Sequence, residues 1–373
     1  MICTETQSRK RKKVSSNPIS SKTESKKWQP GTERSEVTGS HTSYPVTSFA
    51  SLSAFPAAIG NLKAISKRPI FLTAIIAVIL LSTVGCQEQK PAMTTDDATA
   101  IATAENEPQR IISTVPSITE VLFELGLGDR VVGVSDFCNV PEAASLLPRT
   151  GGYLNPGYEA MLELKPDLVI VLAEATDLQE RLKNFGLTTL AVNHQSIDGI
   201  LDSFVQIGNR CGTASAERAC QLQVEINRRL EAISNRVANF ERPSVVLTLY
   251  FDDGTAMQST TIAGKNPFFE RVLELAGGVN VARNSSIAFP TVSREGMFEL
   301  NPDVIIGIAD VKANDPQIVD AFHKNWERFA AQTPAVKNKR MTLIAEDYAM
   351  VPGPRFVLLV EKIAGVLHPE SPE

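Results

Sequence analysis

The sequence predicts an α/β protein made of two lobes that one long helix joins. From Arg110 onward, short apolar runs alternate with helical patterns. Two segments that lie 136 residues apart also repeat each other, and an uninterrupted helical pattern separates them. Together these three features favour two similar α/β halves on either side of a rigid connection.

The predicted strands are short, continuous apolar runs, which are typical of parallel strands covered by helices on both faces. The first half contains four such runs: Ile111–Val115, Val131–Val134, Leu168–Leu172 and Thr188–Val192. The second half contains three: Val245–Phe251, Val304–Ile308 and Met341–Ala345. We therefore predict parallel sheets in both halves.

The predicted connecting helix covers Glu217–Phe240, where neither Pro nor Gly occurs. Its apolar residues recur at spacings of three and four, which places them on one stripe: Ala219, Leu222, Ile226, Leu230, Ile233, Val237 and Phe240. The pattern predicts an N-terminal α/β lobe at 109–213, a linking helix at 214–241 and a C-terminal α/β lobe at 242–370.

The internal repeat pairs Glu159–Glu174 with Glu295–Asp310, and eight of the 16 positions are identical. In both copies a helical pattern ends before a Pro-Asp turn that leads into a buried strand. A weaker similarity pairs Glu120–Leu125 with Glu270–Leu275. Two homologous lobes imply a cleft between them, where ligands tend to bind.

Charge divides the chain into two parts. Residues 1–68 hold 12 Lys or Arg against four acidic residues, whereas the remainder holds 25 basic and 38 acidic residues. Phosphate backbones would repel so acidic a body, which argues against nucleic-acid binding. We assign no function to the basic run at 9–13, because a solvated stretch of this kind is common.

A signal peptide is predicted at 61–85. Three basic residues precede the apolar run Ile70–Leu81, which is shorter than the ~20 residues needed to span a bilayer and leads through small residues to Cys86. This pattern resembles a bacterial lipoprotein cleavage box, with Cys86 as the lipidated residue, although Thr83 replaces the usual Leu.

The segments on either side of the signal peptide complete the predicted domain organisation. A signal peptide normally begins close to its basic region, so we expect translation to start near 61–67 and residues 1–60 to be a non-native or disordered extension. The alternative is a long, cleaved leader. Residues 86–108 are predicted to form a flexible tether.

The cysteine and histidine patterns favour neither a disulfide framework nor catalysis. Cys138, Cys211 and Cys220 form an odd set without a CxxC pair, so unpaired thiols are favoured over a Cys211–Cys220 bridge. The mature chain has three histidines without metal-ligand spacing, His194, His323 and His368, and lacks a Gly-x-Ser-x-Gly elbow. We therefore predict no catalytic site, no metal site and no cofactor. The alternative is an enzyme. An enzyme would change its ligand chemically, whereas a binding protein would return it unchanged.

Six motifs, taken in their order along the chain, indicate a resemblance to a known family. They are Arg110-Ile-Ile-Ser-Thr-Val-Pro-Ser-Ile-Thr-Glu120, Gly133-Val-Ser-Asp-Phe-Cys-Asn-Val-Pro141, Gly151-Gly-Tyr-Leu-Asn155, Lys165-Pro-Asp167, Val292-Ser-Arg-Glu295 and Pro352-Gly-Pro-Arg355. Over 110–369 the chain resembles the periplasmic solute-binding proteins of cobalamin and ferric-siderophore ABC transporters, most closely the cobalamin branch. The resemblance implies two homologous Rossmann-like lobes joined by one backbone helix, the class III fold.

The same resemblance implies partners. In the cobalamin relatives a glutamate on each lobe contacts arginines of the two permease subunits, and Glu159 and Glu295 occupy the matching positions. Each glutamate could instead merely favour the positive end of its own helix. We expect a monomer on the periplasmic or extracytoplasmic face, anchored by lipid on Cys86, that delivers a small molecule to an ABC permease dimer.

The ligand implied by the resemblance is cobalamin, held by aromatic side chains in the cleft. The matching positions are Phe137, Tyr153, Phe289 and Tyr348, with Tyr250 or Phe251 as a further one. Asp347 matches an acidic residue that accepts hydrogen bonds from ligand amides. Its partner arginine is replaced by Val351, and Arg355 is not expected to substitute because it belongs to the Pro-Gly-Pro-Arg turn.

Three alternatives to a cobalamin carrier remain open. A ferric-siderophore carrier of the same fold would use cleft arginines, for which Arg149, Arg283 and Arg294 are candidates. A haem carrier would use an iron-coordinating side chain such as Tyr153 or Tyr348. A corrinoid sensor or scavenger would work without a permease, so that substitution of Glu159 and Glu295 would leave transport unaffected.

Overall fold

The computed structural model describes residues 107–249, 257–309 and 315–370, all within one compact unit, Asp97–Glu373. The predicted extension, the signal peptide, Cys86 and nearly all of the tether lie outside the described residues, as do Tyr250 and Phe251. None of the described helices has the length and hydropathy needed to cross a membrane.

The N-terminal lobe is a parallel sheet with helices packed against it. Its elements are β1 (Ile111–Ser113), α1 (Pro116–Glu124), β2 (Val131–Val134), α2 (Glu142–Ser145), α3 (Tyr158–Glu163), β3 (Leu168–Leu172), α4 (Thr176–Asn184), β4 (Thr189–Val192) and α5 (Ile197–Cys211). Among the described residues the strand order is β2-β1-β3-β4, and every neighbouring pair is parallel. The carboxyl ends of these strands therefore share one edge of the sheet.

The linking helix, α6, runs from Thr213 to Val237. Gly212, with φ of 115°, separates this helix from α5. Residues other than glycine rarely adopt this conformation. The predicted stripe is buried from Ala219 to Val237. The prediction placed the end of the helix at residue 241, whereas the structure ends it four residues earlier, before Pro243 starts the next lobe.

The C-terminal lobe repeats this layout with additions. Its elements are β5 (Ser244–Leu249), β6 (Ser259–Ile262), α7 (Pro267–Leu275), β7 (Val279–Asn280), β8 (Thr291–Ser293), α8 (Arg294–Leu300), β9 (Val304–Ile308), α9 (Pro316–Phe329), α10 (Pro334–Lys337), β10 (Met341–Ile344) and α11 (Phe356–Leu367). The strands follow the order β10-β9-β5-β6-β8, with β7 beside β5.

The prediction of purely parallel sheets is wrong for this lobe. Strands β10, β9 and β5 run parallel, but β5 pairs with β6 and β6 pairs with β8 in the antiparallel sense. Strand β6 is Ser-Thr-Thr-Ile and β8 is Thr-Val-Ser. Such short polar strands lack the continuous apolar run by which buried parallel strands are recognised in a sequence.

One hydrophobic core joins the lobes. It combines side chains from β1 and α1, the buried stripe of α6, and apolar residues of β5, α7 and α11. Two smaller clusters lie on the other faces of the sheets, one in each lobe. Across the lobes, α5 contacts α7, and α6 packs against α11. Because this core is continuous, the linking helix is packed against both lobes rather than standing free between them.

The cysteines in the core are thiols. Cys138 and Cys211 are both free and buried, so Cys211 does not bridge to Cys220. Cys220 is disulfide-bonded, so the expectation of an unpaired thiol is wrong for that residue. Burial raises the pKa of Cys211 to about 11, which keeps the thiol protonated and unreactive at neutral pH.

Candidate functional site

The candidate ligand site lies where strand-end loops of the two lobes meet. In the N-terminal lobe these loops follow β1, β2 and β3, and in the C-terminal lobe the 3₁₀ turn Asp347–Met350 follows β10. Arg355 connects this turn to Glu120 on α1 of the other lobe. Ligands of open α/β sheets bind at the carboxyl ends of strands, so this junction is the expected place.

Phe137 and Tyr153 form the aromatic surface of the N-terminal lobe. The side chain of Phe137 is 67% exposed and that of Tyr153 is 38% exposed. The backbone N–H of Asp136 donates to the carbonyl of Gly151 at 3.1 Å, which ties the two loops together. Phe137 also lies over Gly152, where an added Cβ would be 3.4 Å from its ring. The loops that carry these two predicted ligand-binding residues therefore lie next to each other.

Arg149 holds the Phe137 loop in place. Its guanidinium donates to the carbonyl oxygens of Ser135 and Cys138, both at 2.9 Å, and of Ser145 at 3.0 Å. It also reaches the side-chain oxygen of Asn139 at 3.3 Å. Arg149 was a candidate for binding an anionic siderophore. Its guanidinium donors, however, already bind oxygen atoms of its own loop.

Phe289 supplies the aromatic surface of the C-terminal lobe. It is 40% exposed and packs edge-on against Phe269, with ring centroids 6.3 Å apart. Its segment runs beside the turn after β6, because the N–H groups of Gly264 and Lys265 donate to the carbonyls of Ala288 and Ile287. An added Cβ at Gly264 would lie 2.5 Å from the Ile287 carbonyl oxygen, so this approach requires glycine.

Asp347 and Tyr348 lie on the 3₁₀ turn after β10 and are both bound to Arg355. The Nη1 atom of Arg355 donates to the two carboxylate oxygens of Asp347 at 2.9 and 2.8 Å. Its guanidinium carbon lies 5.9 Å from the centre of the Tyr348 ring, in cation–π contact. The expectation that Arg355 would not replace the arginine missing at Val351 is therefore wrong, since the turn points its side chain back at Asp347.

The same guanidinium binds Glu120 of the other lobe. Arg355 Nη2 is 2.7 Å from Glu120 Oε1, and Nε is 3.1 Å from Oε2, a bidentate pair. Glu120 is 4% exposed, and burial raises its pKa even though Arg355 opposes that shift. Sequence reasoning missed Glu120 as a site residue; the signal was a glutamate inside the buried apolar face of α1, which requires a partner.

The tyrosines of the site are held in their neutral form. Burial and the negative charge of Glu174 raise the pKa of Tyr153. Burial also raises the pKa of Tyr348, and the nearby Glu346 adds to the effect. Both side chains are therefore hydrogen-bonding phenols at neutral pH rather than phenolates.

Glu159 and Glu295 occupy equivalent places on the two lobes. Each is the second residue of its helix, α3 and α8, and each is exposed. Bonds from the backbone N–H of Glu295 itself and from the Ser293 hydroxyl lower the pKa of Glu295. The structure thus supports the local explanation for Glu295, a carboxylate at a helix N-terminus, and leaves its charge facing solvent.

Within the described ranges no group of three His, Cys, Asp or Glu side chains is arranged to hold a metal ion. His194 is buried between Ser117 and Ser203, and His368 contacts the carbonyl of Gly277. These contacts account for two of the three histidines through packing and hydrogen bonds.

The model of the periplasmic binding protein family matches residues 111–348. The chain belongs to this family. The match covers both lobes and the linking helix, so the class III fold that the sequence predicted is confirmed. Members of the family bind solutes and are not catalysts.

Relatives and solved structures agree with this assignment. The chain is 29% identical to an uncharacterized ABC transporter substrate-binding lipoprotein, YvrC, of Bacillus subtilis, over 75% of this chain and 86% of the relative. It is 27% identical to a cobalamin-binding protein of Halobacterium salinarum, over 74% of each chain. The crystal structure of the vitamin B12-binding protein BtuF of Vibrio cholerae superposes with a TM-score of 0.59 at 25% identity, covering 70% of this chain and 96% of that one.

A haem-binding relative superposes equally well. The periplasmic heme-binding protein RhuT from Roseiflexus gives a TM-score of 0.58 at 22% identity, over 71% of this chain and 99% of that one. At this identity the likeness concerns the fold alone. The chain is thus a member of a family of extracytoplasmic solute-binding proteins.

Proposed function

We propose that the protein captures cobalamin in the cleft between its lobes and delivers it to an ABC permease dimer. One observation carries the proposal: exposed aromatic rings lie on strand-end loops of both lobes, Phe137 and Tyr153 on one, Phe289 on the other. A corrin is a broad, largely apolar ring system that such rigid surfaces bind at low entropic cost. Vitamin B12-binding proteins of Vibrio campbellii and Vibrio cholerae are 26% and 27% identical to this chain over 70% and 69% of its length.

The charges around the cleft support a ligand without strong negative charge. Arg149 is bound to carbonyl oxygens of its own loop, and Arg355 is paired with two carboxylates. Neither guanidinium is left to bind an anionic catecholate. The other two siderophore candidates are Arg294, which lies next to the exposed Glu295, and Arg283, which is exposed. These two are the arginines to test if the ligand is a siderophore.

A haem ligand is the second candidate. Iron coordination by tyrosine requires the phenolate. In the protein alone the pKa of Tyr153 and that of Tyr348 are both raised, so bound iron would have to supply the charge that removes the proton. Aromatic packing against a corrin needs no such deprotonation.

Docking to the permease is proposed for Glu159 and Glu295. Two equivalent exposed carboxylates on pseudo-symmetric lobes match a two-fold symmetric partner that carries one basic site on each subunit. A lipid on Cys86 would keep the protein at the membrane surface, and the predicted tether at 86–108 would allow it to reach the permease. We propose a monomer, because a single bilobed chain already offers both contacts.

Calorimetric titration of the purified protein with cyanocobalamin, with a ferric catecholate siderophore and haem in parallel, tests the ligand. Micromolar or tighter binding of cobalamin alone, about −8 kcal/mol or better, is expected. Heat only with an iron ligand would overturn the cobalamin assignment and direct mutagenesis to the tyrosines and the exposed arginines. Recovery of unchanged cobalamin after denaturation distinguishes a carrier from an enzyme.

A further inference from the structure

Arg355 joins the two lobes through carboxylates that come from different lobes. It holds Glu120 of α1 by Nε and Nη2, at 3.1 and 2.7 Å, and Asp347 of the cleft turn by Nη1. We infer that Arg355 is a positioning residue that couples the angle between the lobes to the placement of Asp347 and Tyr348 in the ligand cleft. The part of this inference that concerns ligand affinity rests on the proposed function.

The chemistry of the site requires arginine. A guanidinium offers five N–H donors in a fixed plane, so one side chain can bind two carboxylates in different directions. The lysine ammonium is a point charge and cannot hold both in the same geometry. Burial alone would lower the pKa of Arg355, but the bonds to Glu120 and Asp347 outweigh this effect and raise it, so the group stays charged.

The backbone approach at Gly353 makes this a contact between lobes and not a long side-chain bridge. A Cβ added to Gly353 would lie 3.0 Å from Glu120 Oε2 and 3.3 Å from the Cα of Ser117. The Pro-Gly-Pro-Arg segment is therefore pressed against α1. Val121 of α1 and Phe356 of α11, next in sequence to Glu120 and Arg355, belong to the hydrophobic core that the lobes share, so the ion pair adds a polar contact between the lobes beside that core.

Tyr348 extends the effect to an aromatic face of the cleft. Its ring is 5.9 Å from the guanidinium carbon and is partly buried against the shared core. Arg355 thus touches both cleft residues of the turn and the opposite lobe at once. Any change in the lobe angle that moves Glu120 pulls on the group that positions Asp347 and Tyr348.

The experiment separates the inter-lobe arm from the cleft arm. Glu120→Gln weakens the bond across the lobes, and Asp347→Asn weakens the bond within the C-terminal lobe. The inter-lobe distance is measured in the unliganded protein by pulsed electron resonance between genetically encoded spin labels at Glu180 and Glu327, which are exposed and on different lobes. Cyanocobalamin affinity is measured by calorimetry on the same variants.

We expect Glu120→Gln to shift or broaden the distance distribution and to weaken cobalamin binding on the order of tenfold, although Glu120 is 4% exposed and cannot itself bind the ligand. Asp347→Asn should weaken binding while the distance stays as in wild type. Arg355→Gln and Arg355→Lys should both change the distance distribution and weaken cobalamin binding. Lysine keeps the positive charge, but it loses the planar guanidinium that binds two carboxylates. If Arg355→Gln does not fold, Glu120→Gln and Arg355→Lys still decide the matter.

A matched control is the arginine–carboxylate pair that joins the linking helix to α11. Arg229 of the linking helix binds Glu361 of α11 in the same bidentate manner, at 3.2 and 2.8 Å. Arg229→Gln removes an arginine-carboxylate pair away from the cleft and should change neither affinity nor distance. An unchanged distance and affinity in Glu120→Gln would overturn the inference. Failure of the wild type to bind cobalamin would overturn the proposed ligand, while the distance measurement would still test the link between the lobes.

Discussion

Asp167 and Asp303 hold the start of the central strand in their respective sheets in the same way. The Asp167 carboxylate accepts hydrogen bonds from the backbone N–H groups of Gln109 and Arg110, at 2.7 and 2.9 Å, just before β1. The Asp303 carboxylate accepts from the backbone N–H and the hydroxyl of Ser244, at 2.9 and 2.7 Å, at the start of β5. The repeated Pro-Asp turn is therefore a structural device that caps a neighbouring strand.

The backbone before each turn is also the same. Lys165 has φ of 46° and Asn301 has φ of 45°, the left-handed conformation that ends a helix and turns the chain toward the sheet. These positions are 136 residues apart, as the sequence repeat requires. The homology of the lobes thus extends from residue identity to backbone conformation.

The first prediction concerns stability. Asp303→Asn should lower the free energy of unfolding by about 1.5–3 kcal/mol, because hydrogen bonds to a charged acceptor are lost beside a partly buried strand. Urea denaturation followed by circular dichroism measures the change. Asp320→Asn is the control, since Asp320 forms an exposed pair with Lys324, and such pairs contribute about 1 kcal/mol or less. Equal effects of the two substitutions would contradict a capping role for Asp303.

The sequence predicts those parts of the fold that local patterns encode. The apolar runs at Leu168–Leu172 and Val304–Ile308 give β3 and β9 with the same bounds, because a strand buried on both faces is apolar throughout. The polar strands β6 and β8 carry no such pattern. Their pairing depends on hydrogen bonds to partners elsewhere in the chain, which periodicity does not record.

The candidate site likewise contains residues that the sequence identifies and contacts that only the tertiary structure shows. The sequence places Phe137 and Tyr153 on neighbouring loops, and the structure brings those loops together. It gives no indication that Arg355 reaches Glu120, because 235 residues separate the two and only the packing of the lobes makes them neighbours. A motif identifies residues that matter, whereas their partners across a cleft follow from the tertiary structure.

The second prediction concerns pH. Burial lowers the pKa of His194 to about 4, below the ordinary 6.5. The unfolded chain therefore binds a proton between pH 6.5 and 4 that the folded protein does not, so stability should fall as the pH is lowered through this window. The loss should reach about 3 kcal/mol near pH 4. Chemical denaturation at a series of pH values measures it.

Burial disfavours the charged ring of His194, and its hydrogen bonds can all be made by the neutral ring. Ser203 donates its hydroxyl proton to the carbonyl of Ile200 at 2.6 Å, so its oxygen accepts from Nε2 of His194. Nδ1 is then free to accept from the hydroxyl of Ser117 at 2.8 Å. His194→Gln should flatten the pH dependence, while His323→Gln should preserve it. A steep acid loss that persists in His194→Gln would assign the effect to other groups.

The third prediction concerns the aromatic surfaces. Phe137→Ala and Phe289→Ala should each weaken cyanocobalamin binding by about tenfold, since the loss of one aromatic contact in a desolvated site is worth about 1.5 kcal/mol. Thermal stability should change little for Phe137→Ala, because that ring is 67% exposed. Phe185→Ala is the matched control. Phe185 is 49% exposed but packs on Tyr158 outside the cleft, so its loss should leave affinity unchanged. Equal effects of all three would indicate a general change in the protein rather than contact with the ligand.

The fourth prediction concerns docking. Glu159→Gln and Glu295→Gln should each reduce cobalamin uptake into vesicles that contain the permease, and the double variant should reduce it further, while calorimetric affinity for the ligand stays as in wild type. Exposed carboxylates act by long-range attraction and by paired bonds to arginine, so the wild-type advantage should shrink as salt is raised from 0.05 to about 0.5 M and the Debye length falls. Glu217→Gln removes an exposed carboxylate from the linking helix and serves as the control for net charge. Because the pKa of Glu295 is lowered, its contribution should persist as the pH falls through the ordinary carboxylate range. Full uptake by the double variant would contradict docking through the two glutamates, and equal uptake when the protein is omitted would favour a corrinoid sensor or scavenger, whose ligand binding needs neither glutamate.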